Sequence, residues 1–210
     1  RYTVMLTATG AGYSLWRDIA VTRWREDATR DDWGTFILLR DVQNGDVWSA
    51  GAQPAGRAAD HAEVVFGEDH AEFIRHDGTL TTTMEVLVSG EADGEVRRVS
   101  LTNRGRRPRV IELTSYAEVV LTTPAADAAH PAFSKMFVQT EHRADFGALI
   151  ATRRPRSHDD PQVWAAHLAV VDGAVTADPQ YETDRARFIG RGRTVATAAA
   201  ITDGRPMGGA

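Results

Sequence analysis

This sequence predicts an all-β fold, a large antiparallel β-sandwich with few short helices, and three observations carry the prediction. Short runs rich in Val, Ile, Thr and aromatic residues alternate apolar and polar positions with a period of two, as half-buried strands do. The connectors carry turn chemistry: Gln43-Asn44-Gly45-Asp46, His76-Asp77-Gly78, Ala92-Asp93-Gly94 and Asn103-Arg104-Gly105 supply the positive φ angles that tight hairpins need. Strands recur about every ten residues, the spacing of a sandwich or barrel. Strand content is therefore expected well above the roughly 20–25% average, and helix below about 15%.

In chain order, residues 2–7 read as a strand already under way, and residues 18–24 as a helical turn or a strand. Residues 63–66, 71–75, 81–88 and 96–102 follow as period-two strands. Residues 110–121 form a longer run in which Ile111, Leu113, Ala117, Val119 and Leu121 fall on one face. One helical turn is expected at 130–137, a charged loop at 153–161 and a buried strand at 163–171. From Gly190 the apolar pattern fades, so 190–210 reads as a loop-like tail. The whole of 1–210 is expected to be one β-sandwich domain, a segment of a longer chain.

Composition excludes several function classes. Arg and Lys together number 24 against 29 Asp and Glu, giving a net charge of −5, so a general nucleic-acid binder is disfavoured. With no cysteine there are no disulfides, iron–sulfur ligands or thiol nucleophiles. No apolar run approaches the length of a membrane span, so no membrane insertion by this segment is expected. The absence of cysteine fits a reducing compartment, and the expectation is a soluble segment on the cytoplasmic side whose parent is an inner-membrane protein.

The densest chemistry lies between Gly10 and Asp41. Three of the five tryptophans (Trp16, Trp24 and Trp33) are interleaved there with Arg17, Arg23, Arg25, Asp18, Asp31 and Asp32. Flat rings beside guanidinium forks and carboxylates suit a polyhydroxylated ligand, because a sugar offers both C–H faces and hydroxyl edges. The alternative is a structural corner with tryptophans packed inward and Arg–Asp pairs holding a loop.

No catalytic, metal or cofactor site emerges. Gly12-Tyr13-Ser14-Leu15-Trp16 begins like a nucleophile elbow, but Trp16 stands where a second Gly must let the backbone turn. The seven histidines show no zinc spacing, and Asp127-Ala128-Ala129-His130 is the nearest approach to a ligand pair. Glu68-Asp69 and Asp159-Asp160 read as solvated loop charge. Gly190-Arg191-Gly192-Arg193 could cradle phosphate, although a flexible solvated loop accounts for it more simply.

Several blocks resemble the N-terminal β-sandwich domain of glycoside hydrolase family 94, in the version found in the C-terminal region of cyclic β-1,2-glucan synthases. They are Gly12-Tyr13-Ser14-Leu15-Trp16-Arg17-Asp18 with Thr22-Arg23-Trp24-Arg25, Trp33-Gly34-Thr35-Phe36, Trp48-Ser49-Ala50-Gly51-Ala52-Gln53-Pro54, Glu112-Leu113-Thr114-Ser115-Tyr116-Ala117-Glu118, Ala129-His130-Pro131-Ala132-Phe133-Ser134, and Tyr181-Glu182-Thr183-Asp184-Arg185-Ala186-Arg187-Phe188. The resemblance implies a galactose-mutarotase-like super-sandwich followed by an (α/α)6 barrel that holds the catalytic groups. It implies β-1,2-glucan or another β-glucoside, that barrel and a second subunit as partners, and no catalytic residue in this segment. The rival readings are a stand-alone carbohydrate-binding module and, behind it, an aldose-epimerase-like enzyme. Within this frame Tyr13, Trp16, Arg17, Arg23, Arg25 and Trp33 are the expected substrate- or barrel-facing residues. In a continuous strand Arg17, Arg23 and Arg25 would share one face.

Overall fold

The computed structural model describes residues 1–27, 29–158 and 160–209. Eleven strands come first: β1 (Tyr2–Leu6), β2 (Gly12–Trp16), β3 (Ile19–Thr22), β4 (Phe36–Asp41), β5 (Val47–Ser49), β6 (His61–Phe66), β7 (His70–Asp77), β8 (Leu80–Val88), β9 (Glu95–Asn103), β10 (Ile111–Tyr116) and β11 (Val119–Thr122). Two short helices follow, α1 (Pro124–Ala129) and α2 (Pro131–Lys135), each opened by a proline whose missing N–H would have no helical partner there. The chain continues through β12 (Val138–Arg143), β13 (Ala148–Arg153) and β14 (Trp164–Leu168), then α3 (Arg185–Ile189), a 3₁₀ turn at Val195–Thr197 and α4 (Ala199–Thr202). Strand makes up 41% of the structure, as the period-two runs predicted.

The strands form four sheets, ordered β1-β2-β3-β11, β10-β4-β5, β12-β13-β14 and β6-β7-β8-β9, and every named pair is antiparallel. The hairpin β7–β8 shows the expected alternation. Ala71, Phe73, Leu80, Met84 and Val86 point inward, and with Ile37, Leu39, Trp48 and Ala50 of the β4–β5 region they form the main core. Phe73 is 2% exposed. Its replacement by alanine would typically cost about 3–5 kcal/mol.

β4 obeys a different rule. Its Phe36-Ile37-Leu38-Leu39 run has no alternation because both faces are covered. Ile37 and Leu39 face the main core, whereas Leu38 packs against Phe188, Ile189, Ala198, Ala200 and Ile201. The 190–210 stretch is thus not loop throughout. A 3₁₀ turn leads into α4, which buries Ala199, Ala200 and Ile201, the last two in the cluster with Leu38 of β4, in helices too short to reveal a 3.6-residue period in sequence.

Two further readings need correction. The 110–121 run is two strands in two sheets, interrupted at Ala117-Glu118. Leu113 is 44% exposed, and Leu121 is buried with a φ of 50° beside a register shift in the β11–β3 pairing. β14 is not a buried strand but the edge of its sheet. Val163, just before it, is buried in the third core cluster with Ile19, Leu121 and Ala151, and Ala165 packs against that cluster, while Trp164 and Leu168 are exposed. Among the described residues no helix is long and apolar enough to cross a membrane.

Candidate functional site

The 10–41 segment folds into three separate arrangements. β2 and β3 are joined by a two-residue hairpin turn, with Trp16 paired to Ile19 and Arg17-Asp18 between them. Arg17 takes a φ of 56°, the positive value a type II′ hairpin needs at its first turn position, so an ordinary side chain occupies a place usually held by glycine. This turn reverses the chain, so Arg17, Arg23 and Arg25 do not share a strand face.

The first arrangement is at that hairpin. Trp16 is half-buried against the third core cluster, and its indole Nε1–H donates to Asp93 at 2.6 Å. The exposed Arg17 guanidinium lies over the Trp16 ring, 4.6 Å from its centroid.

The second arrangement is buried and ionic. Arg23 follows β3, its side chain 3% exposed. Its backbone N–H donates to the Glu118 carbonyl at 2.8 Å. Its guanidinium forks onto both oxygens of Asp127 on α1, with Nε–Oδ2 at 2.7 Å, and reaches Glu118 at 3.2 Å and the Pro131 carbonyl at 3.2 Å. Glu118 also accepts from Lys135 at 3.0 Å, Arg185 at 2.8 Å and the Tyr116 hydroxyl at 2.9 Å. One carboxylate therefore joins the β10–β11 link to the residue that follows β3 and to α2 and α3.

Burial alone would raise the Glu118 pKa, but hydrogen bonds from Arg185 and Lys135 and the charges of both outweigh it and hold the carboxyl at about 2, below its ordinary 4.5. A depressed carboxylate stabilises the fold fully above its unfolded pKa. That stabilisation is lost as pH falls from about 4.5 toward about 2. The urea midpoint should accordingly drop through this window, and Glu118→Gln should make the drop shallower while lowering the midpoint at pH 7. An unchanged acid profile in Glu118→Gln would contradict this assignment.

The third arrangement is the far end of β2. The Gly12 N–H donates to the Trp33 carbonyl at 2.8 Å. Tyr13 and Trp24 rings stand 5.4 Å apart, and the exposed Arg25 guanidinium lies 5.8 Å from the Trp33 centroid. Asp31, at a φ of 47°, accepts from Thr7 at 2.9 Å and from Thr9, and Gln53 donates to the Arg30 carbonyl at 3.1 Å. These bonds lay the 29–33 loop beside residues 7–12 and 50–54. A shallow cleft of about 190 Å³ between Arg30, Asp32, Gln53, Pro54 and the Val195 turn adjoins it.

The six expected site residues thus divide. Tyr13 meets Trp24, and Arg25 meets Trp33, in two ring contacts near the Gly12 end of β2. Trp16 and Arg17 lie at the opposite end of β2, about 13 Å away at strand rise. Arg23 is internal. Glu118, Asp127, Lys135 and Arg185 were not among the expected site residues, since nothing in their spacing marks them as one network. Asp127, considered as half of a ligand pair with His130, turns inward to Arg23 while His130 is exposed. Asp159 lies outside the described residues, so the Asp159-Asp160 pair is not described.

Antiparallel sheets stacked around several cores, with a helical C-terminal segment folded back on them, define the class as a β-supersandwich. Over residues 1–210 the chain matches the family described as glycosyl hydrolase 94, supersandwich domain, and it belongs to that family. It is 47% identical over 208 residues to the cyclic β-(1,2)-glucan synthase NdvB of Rhizobium meliloti, covering 99% of this chain and 7% of that protein. It is 27% identical to an N,N'-diacetylchitobiose phosphorylase of Vibrio furnissii, covering 98% of this chain and 25% of the relative. A solabiose phosphorylase of Paenibacillus borealis is 24% identical over 74% of the chain. The chain spans at most a quarter of the length of these relatives.

Proposed function

We propose that this chain serves as the non-catalytic supersandwich domain of a larger β-glucan enzyme, a cyclic β-1,2-glucan synthase or a related inverting phosphorylase. The observation that carries the reading is the 47% identity to a cyclic β-(1,2)-glucan synthase across 99% of the chain. In this reading Tyr13, Trp24, Arg25 and Trp33 lie against the catalytic barrel, a second subunit or the glucan itself. An exposed guanidinium beside half-buried aromatic rings that belong to none of the three core clusters suits such a contact. Trp16 and Arg17 form a separate surface point, and Arg23 supports the fold without touching substrate.

The test compares the chain with the protein that contains it. The 210-residue chain alone should release no glucose 1-phosphate from β-1,2-glucan and inorganic phosphate. In the full-length protein, Arg25→Ala should lower kcat/KM on β-1,2-glucan about tenfold, the loss of one charged hydrogen bond. In the isolated chain the same change should leave the melting temperature nearly unchanged. Glucose 1-phosphate formed by the chain alone, or a full-length Arg25→Ala protein of unaltered activity, would overturn the corresponding half of the reading.

A further inference from the structure

The segment around β14 has the composition of a strand covered on both faces. From Val163 to Val171 it holds no Asp, Glu, Lys or Arg, and His167 is its only ionisable side chain. β4 has a similar apolar run, and both of its covers lie within this chain. β14 has only one. Val163 and Ala165 meet the third core cluster, whereas Trp164 and Leu168 are 63% and 58% exposed, and Val170 and Val171 beyond them 85% and 65%. The edge of the strand is open as well. β14 ends the β12-β13-β14 sheet, and among the described residues its backbone bonds only to β13. We propose that β14 pairs antiparallel with β14 of a second copy of this chain, joining two three-stranded sheets into one of six strands.

Charge is the first argument for a second copy. Edge strands are kept from pairing with their like by charged side chains, proline or a bulge. β6 carries Glu63, β9 carries Glu95, Arg97 and Arg98, and β12 carries Glu141 and Arg143. β14 has none of these devices, and its ladder with β13 runs without a register shift. An acidic or basic partner would find no opposite charge on it. A neutral strand matches it, and its own copy is one.

The register is the second argument. With a two-fold axis at Ala166, Ala166 would face its own copy and Trp164 would face the partner's Leu168, twice over. Trp164, Ala166 and Leu168 share the face turned away from the third core cluster, since Ala165 packs on that cluster and side chains alternate. Two indole–leucine pairs would flank a centre of two methyl groups, which leaves room for both rings. His167 would stand opposite the partner's Ala165 and not opposite its own copy. Such a two-fold contact is self-complementary and closes at two chains, so it leads to a dimer and not to a fibre. The pairing covers five residues a side, at the small end of specific interfaces, and a dissociation constant of about 10 μM is expected. It needs only this chain, so it holds whether or not the proposed function does.

Sedimentation velocity tests the pairing. Between about 1 and 300 μM the chain should pass from monomer to dimer with no larger species. Ala166 is exposed, so Ala166→Lys and Ala166→Glu should each keep the melting temperature of the parent. Each places two like charges face to face at the axis and should weaken the dimer about a hundredfold. An equal mixture of the two variants should form a one-to-one dimer at the parent's concentrations. Should either variant fail to fold, Leu168→Asp sets a carboxylate against the partner's Trp164 and should abolish the dimer in its place. A chain that stays monomeric throughout, one that grows beyond a dimer, a dimer unaffected by Ala166→Lys, or a mixture that stays monomeric would overturn the proposal.

Discussion

Arg23→Met should destabilise this domain by about 3–5 kcal/mol, because it leaves Asp127 and Glu118 buried with their central cation gone. Stabilities of globular proteins are about 5–15 kcal/mol in total, so the loss is a large fraction of the whole. For a chain of this size it corresponds to a fall in melting temperature of roughly 6–20 °C. Asp127 suffers most, since Arg23 takes both of its oxygens, whereas Glu118 keeps Lys135 and Arg185. The double variant Arg23→Met/Asp127→Leu should recover much of the loss, as an apolar pair of similar volume often replaces a buried ion pair without penalty. Arg17→Ala, at an exposed turn, should stay within about 0.5 kcal/mol of the parent. Thermal and urea unfolding of the three variants checks the set. An Arg23→Met protein as stable as the original would remove the network from its structural role.

Gly12→Ala should be at least as damaging, by about 4 kcal/mol or more. Gly12 has a φ of 151° and pairs with Leu6 across the β1–β2 ladder, and a Cβ added there would sit 1.9 Å from the Met5 carbonyl oxygen. Backbone on both sides is fixed by hydrogen bonding, so the clash is relieved only by parting the strands. The same movement would pull the Gly12 N–H from the Trp33 carbonyl and release the loop bearing Arg25. In contrast, Gly45→Ala meets no neighbour within 4 Å and carries only the strain of a φ of 77°. Circular dichroism melts of both variants decide the matter, and equal stability would refute it.

How far the fold could be read in advance follows from where each element sits. β7 and β8 each have one face in the core and one toward solvent, so their alternation is written in the residues. β4 gives no alternation because it is covered twice, and α4 is too short to show its period. The Arg17-Asp18 reversal was invisible because no Gly or Asn marks it, and that hidden turn is why three arginines close in sequence end in three places. The Arg23 network is equally silent, since it joins positions 23, 118, 127, 135 and 185. A single carboxylate at 118 looks the same in sequence whether it is solvated or holds three cations. The aromatic and cationic richness of the 10–41 segment was plain, but its division into a surface and an interior was not.

The double covering of β4 has a consequence for where this chain may be severed. A cut after β14 would appear safe on a diagram of the sheets, as every strand would survive. It would strip Leu38 of Phe188, Ile189 and Ile201 and leave an open greasy seam along the central strand. The last helical turns are thus less an appendage than the outer plank of the wall. Any transplant of this domain into another protein must carry the chain through Met207, which packs against the same cluster, to keep that seam closed.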